Sequence, residues 1–177
     1  MSEGAPGCRP GPGSFESFYE TELPQLIIFL VKQGASWDDA FDVGQECCVK
    51  AFERWHKISE PATWIRTTAV REYCRRQARS REEITRALCG GWEPRPHFDK
   101  LDVHAEEAAV YEAIASLPPR QAEVMAWTYD GYQPAEIAKI LTGLHPHEPP
   151  IAPEAIRASL YQARKTLKTL LGPKKEA

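Results

Sequence analysis

Seven side chains near the C-terminus have the types and spacing to bind nucleic acid: Arg157, Ser159, Tyr161, Gln162, Arg164, Lys165 and Lys168. All lie off the stripe Ile156, Leu160, Ala163, Leu167 and Leu170, which recurs at helical spacing and marks a core-facing side. A guanidinium forks onto guanine edges or phosphates, an ammonium meets phosphate as a point charge, and hydroxyls and amides read bases. In a helix laid along the major groove, the first residues reach base edges and the later basic ones reach phosphates. Arg157, with Ser159 or Tyr161, is therefore expected to read bases, and Arg164, Lys165 and Lys168 to hold the backbone. Gln162 shares their exposed side.

Two further constellations precede it. Arg66, Arg71, Arg75, Arg76 and Arg79 crowd one helical stretch, more cations than a helix C-terminus needs to complement its dipole. With Tyr73 as a stacking surface and His56, Lys57 and Ser59 in the preceding loop, they suit a single strand with an extruded base. Upstream, Asp38, Asp39, Asp42, Gln45 and Glu46 share a face through i+3 and i+4 neighbours, and that face suits a basic protein partner. His145 and His147 with Glu148 make an incomplete metal set, and no CxxC pair accompanies them. There is no phosphate loop, no GxSxG elbow and no carboxylate pair placed for acid–base work. Neither an enzyme nor a metal or cofactor is expected.

These groups must be positioned by helices. Pro118 and Pro119 start one that Gly131 ends; Glu136, Ile137, Ile140 and Leu141 open the next; and the basic amphipathic stretch runs from Ile156 to Leu171. Helix, turn and basic helix is the plan of a major-groove reader. In the first half, a helix begins near Ser14 with Phe15, Phe18, Tyr19, Leu23, Leu26, Ile27 and Leu30 as its buried stripe, and Gly34 stops it. Ser36 to Asp39 has the capping-box pattern. Ala40, Val43, Cys47, Ala51 and Trp55 follow at helical spacing, with Phe41, Cys48 and Phe52 alongside. A third helix spans Ala62 to about Arg79, and Trp64 belongs to its core side.

The chain has 177 residues, a net charge of −3 and an uneven charge distribution: acidic from Glu16 to Glu60, basic from Arg71 to Arg86 and from Arg157 to Lys175. That pattern fits a protein partner together with nucleic acid. Five cysteines without framework spacing suit reduced thiols in a cytoplasm, with Cys47, Cys48 and Cys74 expected in the core. The apolar run Leu23–Val31 is well short of the ~20 residues that span a bilayer, so no membrane insertion is expected.

The run from Leu117 to Met125, followed by Tyr129-Asp-Gly-Tyr-Gln-Pro-Ala-Glu-Ile-Ala-Lys-Ile-Leu141, resembles region 4 of bacterial RNA polymerase sigma factors of the extracytoplasmic-function group. Asp38 to Glu46 with Ala51-Phe-Glu-Arg-Trp55 resembles region 2.2, and Trp64 to Arg76 resembles regions 2.3 and 2.4. The resemblance implies an all-α protein of two small helical domains. Residues 14–80 form a region 2-like bundle, residues 105–172 a region 4-like helix-turn-helix, and a flexible linker at 81–104 joins them, with tails at 1–13 and 173–177. It implies that the acidic face docks on core RNA polymerase, that the arginine helix and the His56–Ser59 loop meet the minus-10 element of promoter DNA, and that the last helix meets the minus-35 element. An anti-sigma factor is a candidate partner. A helix-turn-helix regulator or an adaptor that no longer engages polymerase is the alternative. The chain departs from the family in Thr142–Pro150, a proline-rich insertion between the two helices of the motif, and in Phe41 and Gly44, which replace an acid and a branched apolar residue.

Overall fold

The computed structural model describes residues 14–87 and 105–171, and these fold into seven α-helices and one short 3-10 turn, with no strand among them. The first half contains α1 (Phe15–Lys32), α2 (Trp37–Glu53), the 3-10 turn Trp55–Lys57 and α3 (Pro61–Ala87). The second half contains α4 (Ala105–Ala115), α5 (Pro119–Tyr129), α6 (Pro134–Leu144) and α7 (Pro153–Leu171). The all-α expectation holds.

Local chemistry sets the boundaries. The Ser14 hydroxyl caps α1 by accepting the Ser17 N–H at 3.3 Å, and Ser36 caps α2 by accepting the Asp39 N–H at 3.1 Å. Gln133 and Glu136 complete a capping box on α6. Both α1 and α5 end in the same closing turn. Ala35 N–H reaches Leu30 O and Gly34 N–H reaches Val31 O; Tyr132 N–H reaches Trp127 O and Gly131 N–H reaches Thr128 O. Each turn needs a left-handed residue, supplied by Gly34 at φ 93° and Gly131 at φ 89°. Pro24 sits inside α1 on its exposed side, where the carbonyl it leaves unpaired faces water.

Two boundaries differ from expectation. Helix α3 continues past Arg79 to Ala87 and takes in residues 81–87 of the expected linker, because no glycine or proline interrupts the chain before Gly90. Helix α6 continues to Leu144, which narrows the expected insertion to residues 145–152. The tails and residues 88–104 lie outside the described residues.

Packing brings the largest surprise. Helix α1 is buried on two sides, not one. Leu23, Leu26, Ile27 and Leu30 face α2 and α3, and Gly44 of α2 lets that pair approach closely: a Cβ there would lie 3.1 Å from the Leu23 side chain. The other side of α1 carries Phe29, whose ring meets Trp127 of α5 edge-on at 4.8 Å. One continuous apolar cluster therefore runs from α1–α3 through Val124, Trp127, Ile137 and Leu141 to Ile156 and Leu160 of α7. The two halves share a core.

Candidate nucleic-acid and partner interface

Helix α7 presents the expected polar side to solvent. Arg157, Tyr161, Gln162, Arg164, Lys165 and Lys168 are exposed, Tyr161 to 68%, and Ser159 is half-buried. Ile156, Leu160 and Ala163 anchor the opposite side. Arg157 is held loosely by Glu154 at 2.8 Å, an exposed pair of the kind worth ~0–1 kcal/mol and easily exchanged for a phosphate or a base. The segment ahead of α7 is fastened rather than loose. Nε2 of His145 lies 3.0 Å from Glu123, Arg120 bridges Glu123 and Glu148, and the Thr142 hydroxyl accepts the Ile151 N–H at 3.0 Å.

The acidic side of α2 divides in two. Asp38, Asp39 and Asp42 are exposed at its start. Gln45 is taken by the Tyr19 hydroxyl, and Glu46 is clasped by Lys50 at 2.7 Å and Arg76 at 2.8 Å. Those two hydrogen bonds hold the Glu46 carboxyl below its usual pKa, and the same contacts raise Lys50 and Arg76. Further along α2, Val49 and Phe52 are exposed; Phe52, expected beside the core, stands 64% exposed against Phe15. Cys74 is exposed too, whereas Cys47 and Cys48 are buried, and burial pushes their thiols up to about 12 and about 11.

At the α2–α3 corner, Lys57, Ile58, Ser59, Glu60, Thr63 and Trp64 line an open pocket of about 270 Å³. His56, Lys57 and Ser59 are exposed around it. Tyr73 is half-buried and its hydroxyl accepts from Gln77 at 3.1 Å. Arg75 is exposed and leans on Glu72 at 2.7 Å. Arg71 is exposed as well, and its guanidinium donates across the halves to the Gly143 carbonyl at 3.2 Å.

Arg66 departs from expectation outright. It is 1% exposed and lies in no solvent-facing DNA surface. Its Nε donates to Asp130 at 2.6 Å, and its Nη1 to Glu22 at 2.7 Å and to the Ala62 carbonyl at 3.1 Å. Burial works against its charge, but Asp130 and Glu22 overcome that and raise its pKa. Lys32, also 1% exposed, donates to the other Asp130 oxygen at 2.7 Å and packs 3.9 Å from the centre of the Tyr129 ring. Burial lowers its pKa, and Asp130 only partly compensates, because Lys32 shares that carboxylate with Arg66 and feels its charge. Lys32, Thr63, Asp130 and Tyr132 escaped the sequence reading. A signal was present: Leu26-Ile-Ile-Phe-Leu-Val31 is apolar all round, the mark of a helix buried on every side.

Among the described residues no cluster of three or more metal-ligating side chains occurs, and no helix is long and apolar enough to cross a membrane.

These features define a two-part helical protein whose second half is a helix-turn-helix with a basic, exposed last helix. Residues 107–167 match the family model described as Sigma-70, region 4. Among solved structures, the chain is similar to the sigma factor RpoE in its complex with the anti-sigma factor NepR from Bartonella quintana. The TM-score is 0.70 at 19% identity, covering 91% of this chain and 98% of that one. No curated protein matches significantly. The family model accounts for the last four helices, and the structural likeness shows that the chain shares its all-helical fold with that sigma factor.

Proposed function

We propose that this chain binds core RNA polymerase, directs it to a class of promoters through their minus-35 and minus-10 elements and helps to open the DNA. The observation that carries the proposal is the exposed basic side of α7, mounted on a region 4 match within a fold shared over 91% of the chain with a sigma factor. On this reading Arg157, Ser159, Tyr161 and Gln162 read the minus-35 element while Arg164, Lys165 and Lys168 hold its phosphates. Asp38, Asp39 and Asp42 dock on polymerase, and the exposed Val49 and Phe52 extend that surface with apolar area. Gln45 and Glu46 join it on release from Tyr19 and Arg76. The pocket beside His56, Lys57 and Ser59 receives an extruded base, and Arg71, Tyr73, Arg75 and Arg76 follow the strand.

The chain acts as a specificity subunit in the cytoplasm and catalyses nothing itself. An anti-sigma protein is a further partner, a reading supported by the likeness to a sigma factor in such a complex. Run-off transcription with purified core enzyme and genomic DNA fragments tests the whole reading. Discrete chain-dependent transcripts are expected. DNA binding with no transcript would leave a helix-turn-helix regulator that does not engage polymerase.

A further inference from the structure

The segment that joins the two helices of the helix-turn-helix, residues 145–152, is eight residues long where about 3–4 are usual. Its prolines, Pro146, Pro149 and Pro150, remove backbone freedom. The Glu148 N–H closes a turn on the His145 carbonyl at 3.0 Å, with Pro146 in the second position, where proline's fixed φ fits. Side chains then fasten this turn to the start of α5. Glu123, buried there, has one carboxylate oxygen 3.0 Å from Arg120 Nη1 and the other 3.0 Å from His145 Nε2. Arg120 reaches on with Nη2 to Glu148, and Nδ1 of His145 lies 4.0 Å from that same carboxylate. The four side chains close a ring, two from α5 and two from the joining segment. None belongs to α7.

We propose that Arg120, Glu123 and His145 are positioning residues for promoter reading: their ring with Glu148 sets the angle at which α7 meets the major groove, and so the base preference of Arg157. The inference rests on the reading of α7 as the minus-35 helix. Ahead of Leu160 only Ile156 of α7 is buried, so the end that carries Arg157 has little packing of its own. The small apolar cluster of Leu117, Ala122 and Ala163 fixes the later part of α7 on α5. The ring ties the chain just ahead of α7 to the same helix, so both ends of α7 are referred to one support. Burial strengthens the tie, because water competes poorly for the shielded Glu123 carboxylate. The tolerance is narrow. A turn of ~10° about the helix axis moves a group at the ~5–6 Å surface radius by ~1 Å. Side chains that read a ligand must be held within ~0.5 Å. A slack join of this length would allow such a turn, and the ring prevents it.

The test uses holoenzyme reconstituted from the full chain and core polymerase, with a promoter library randomised across the minus-35 element and read at several salt concentrations. His145→Ala and Glu148→Ala each cut the ring on the joining segment, outside the apolar clusters. His145→Gln puts an amide N–H in the place of Nε2. His145→Ala is expected to reduce discrimination about tenfold at the position that Arg157 reads, the loss that follows when a bidentate contact goes out of line. Glu148→Ala is expected to act in the same direction by a smaller factor, and His145→Gln to keep the wild-type preference. The salt slope is expected to stay that of the wild type, because no phosphate contact is removed. Uniformly weaker binding with unchanged preference is the mark of a merely structural ring and overturns the proposal. A shallower salt slope overturns it too, since these side chains would then be touching DNA themselves. A wild-type holoenzyme with no base preference in this element sinks the minus-35 reading and the proposal together, whereas a preference that survives both alanine variants sinks the proposal alone.

Discussion

Arg157 and Lys168 lie on the same exposed side of α7, three turns apart, and the difference in position should translate into a difference in kind. Replacing Arg157 with alanine is expected to relax preference at one position of the minus-35 element, at ~1–3 kcal/mol if the contact is bidentate. Replacing Lys168 should weaken all promoters alike and make the salt slope shallower by about one unit. A promoter library bound by each mutant holoenzyme at several salt concentrations distinguishes the two; full sequence preference in the Arg157 variant would mean that α7 is turned away from the groove. At the start of α2, Asp38, Asp39 and Asp42 are exposed, with the Asp39 carboxylate accepting the Ser36 hydroxyl at 2.7 Å. Reversing Asp39 and Asp42 to lysine should abolish co-purification with core polymerase while circular dichroism stays unchanged. Retained affinity would remove polymerase docking from this face.

At the scale of elements, α2 and α3 are joined by a charge clasp of Glu46, Lys50, Glu72, Arg75 and Arg76. The Glu46 carboxyl is held below its ordinary pKa in the folded chain, so its contribution is fully present above the unfolded value and is lost as pH falls through the folded one. Glu46→Gln should therefore melt lower than wild type at neutral pH, and the gap should close as the solution is acidified below about pH 4. The side chain is 39% exposed, so the gap should be small, equivalent to less than ~1 kcal/mol or about 2–4 °C in Tm. A gap independent of pH would show that the glutamate acts through packing alone. The helices themselves were readable from sequence because caps and glycines mark their ends: Ser14, Ser36, Gly34 and Gly131 all do what their types require. The lengths of α3 and α6 were less legible, since Gly90 and Pro146 lie several residues beyond the last strongly periodic position. Arg66 was misplaced for a different reason. An arginine three residues from Thr63 reads as a surface cation until its carboxylate partner is known, and Asp130 lies sixty-four positions away in the chain.

Among the described residues, the larger of two apolar clusters is built from both halves, and the Phe29–Trp127 contact joins them within it. Nothing in local periodicity announces such a contact, because each half supplies only one side of it. Phe29→Ala, a fully buried truncation, is expected to cost ~3–5 kcal/mol. The loss should be shared by the two halves: amide exchange in α5 and α7 should accelerate together with that in α1. Faster exchange confined to α1–α3 would mean that the halves unfold independently. The buried charges beside this contact, Lys32, Arg66 and Asp130, bind the halves further, since removing one partner of such a set leaves an uncompensated ion and commonly costs ~3–5 kcal/mol.

The double-sided burial of α1 also has a consequence for biosynthesis. The ribosome releases Phe29 and Lys32 long before Trp127 and Asp130, which complete their cover. At ~5–20 residues per second, the 98 positions from Lys32 to Asp130 take roughly 5–20 s to make. Throughout that interval one side of the first helix to fold is an apolar surface with a lone cation at its edge, a natural stopping place for a chaperone and a weak point for aggregation. A nascent chain arrested after residue 104 should be captured by holdases, and one arrested with α7 clear of the exit tunnel should be let go.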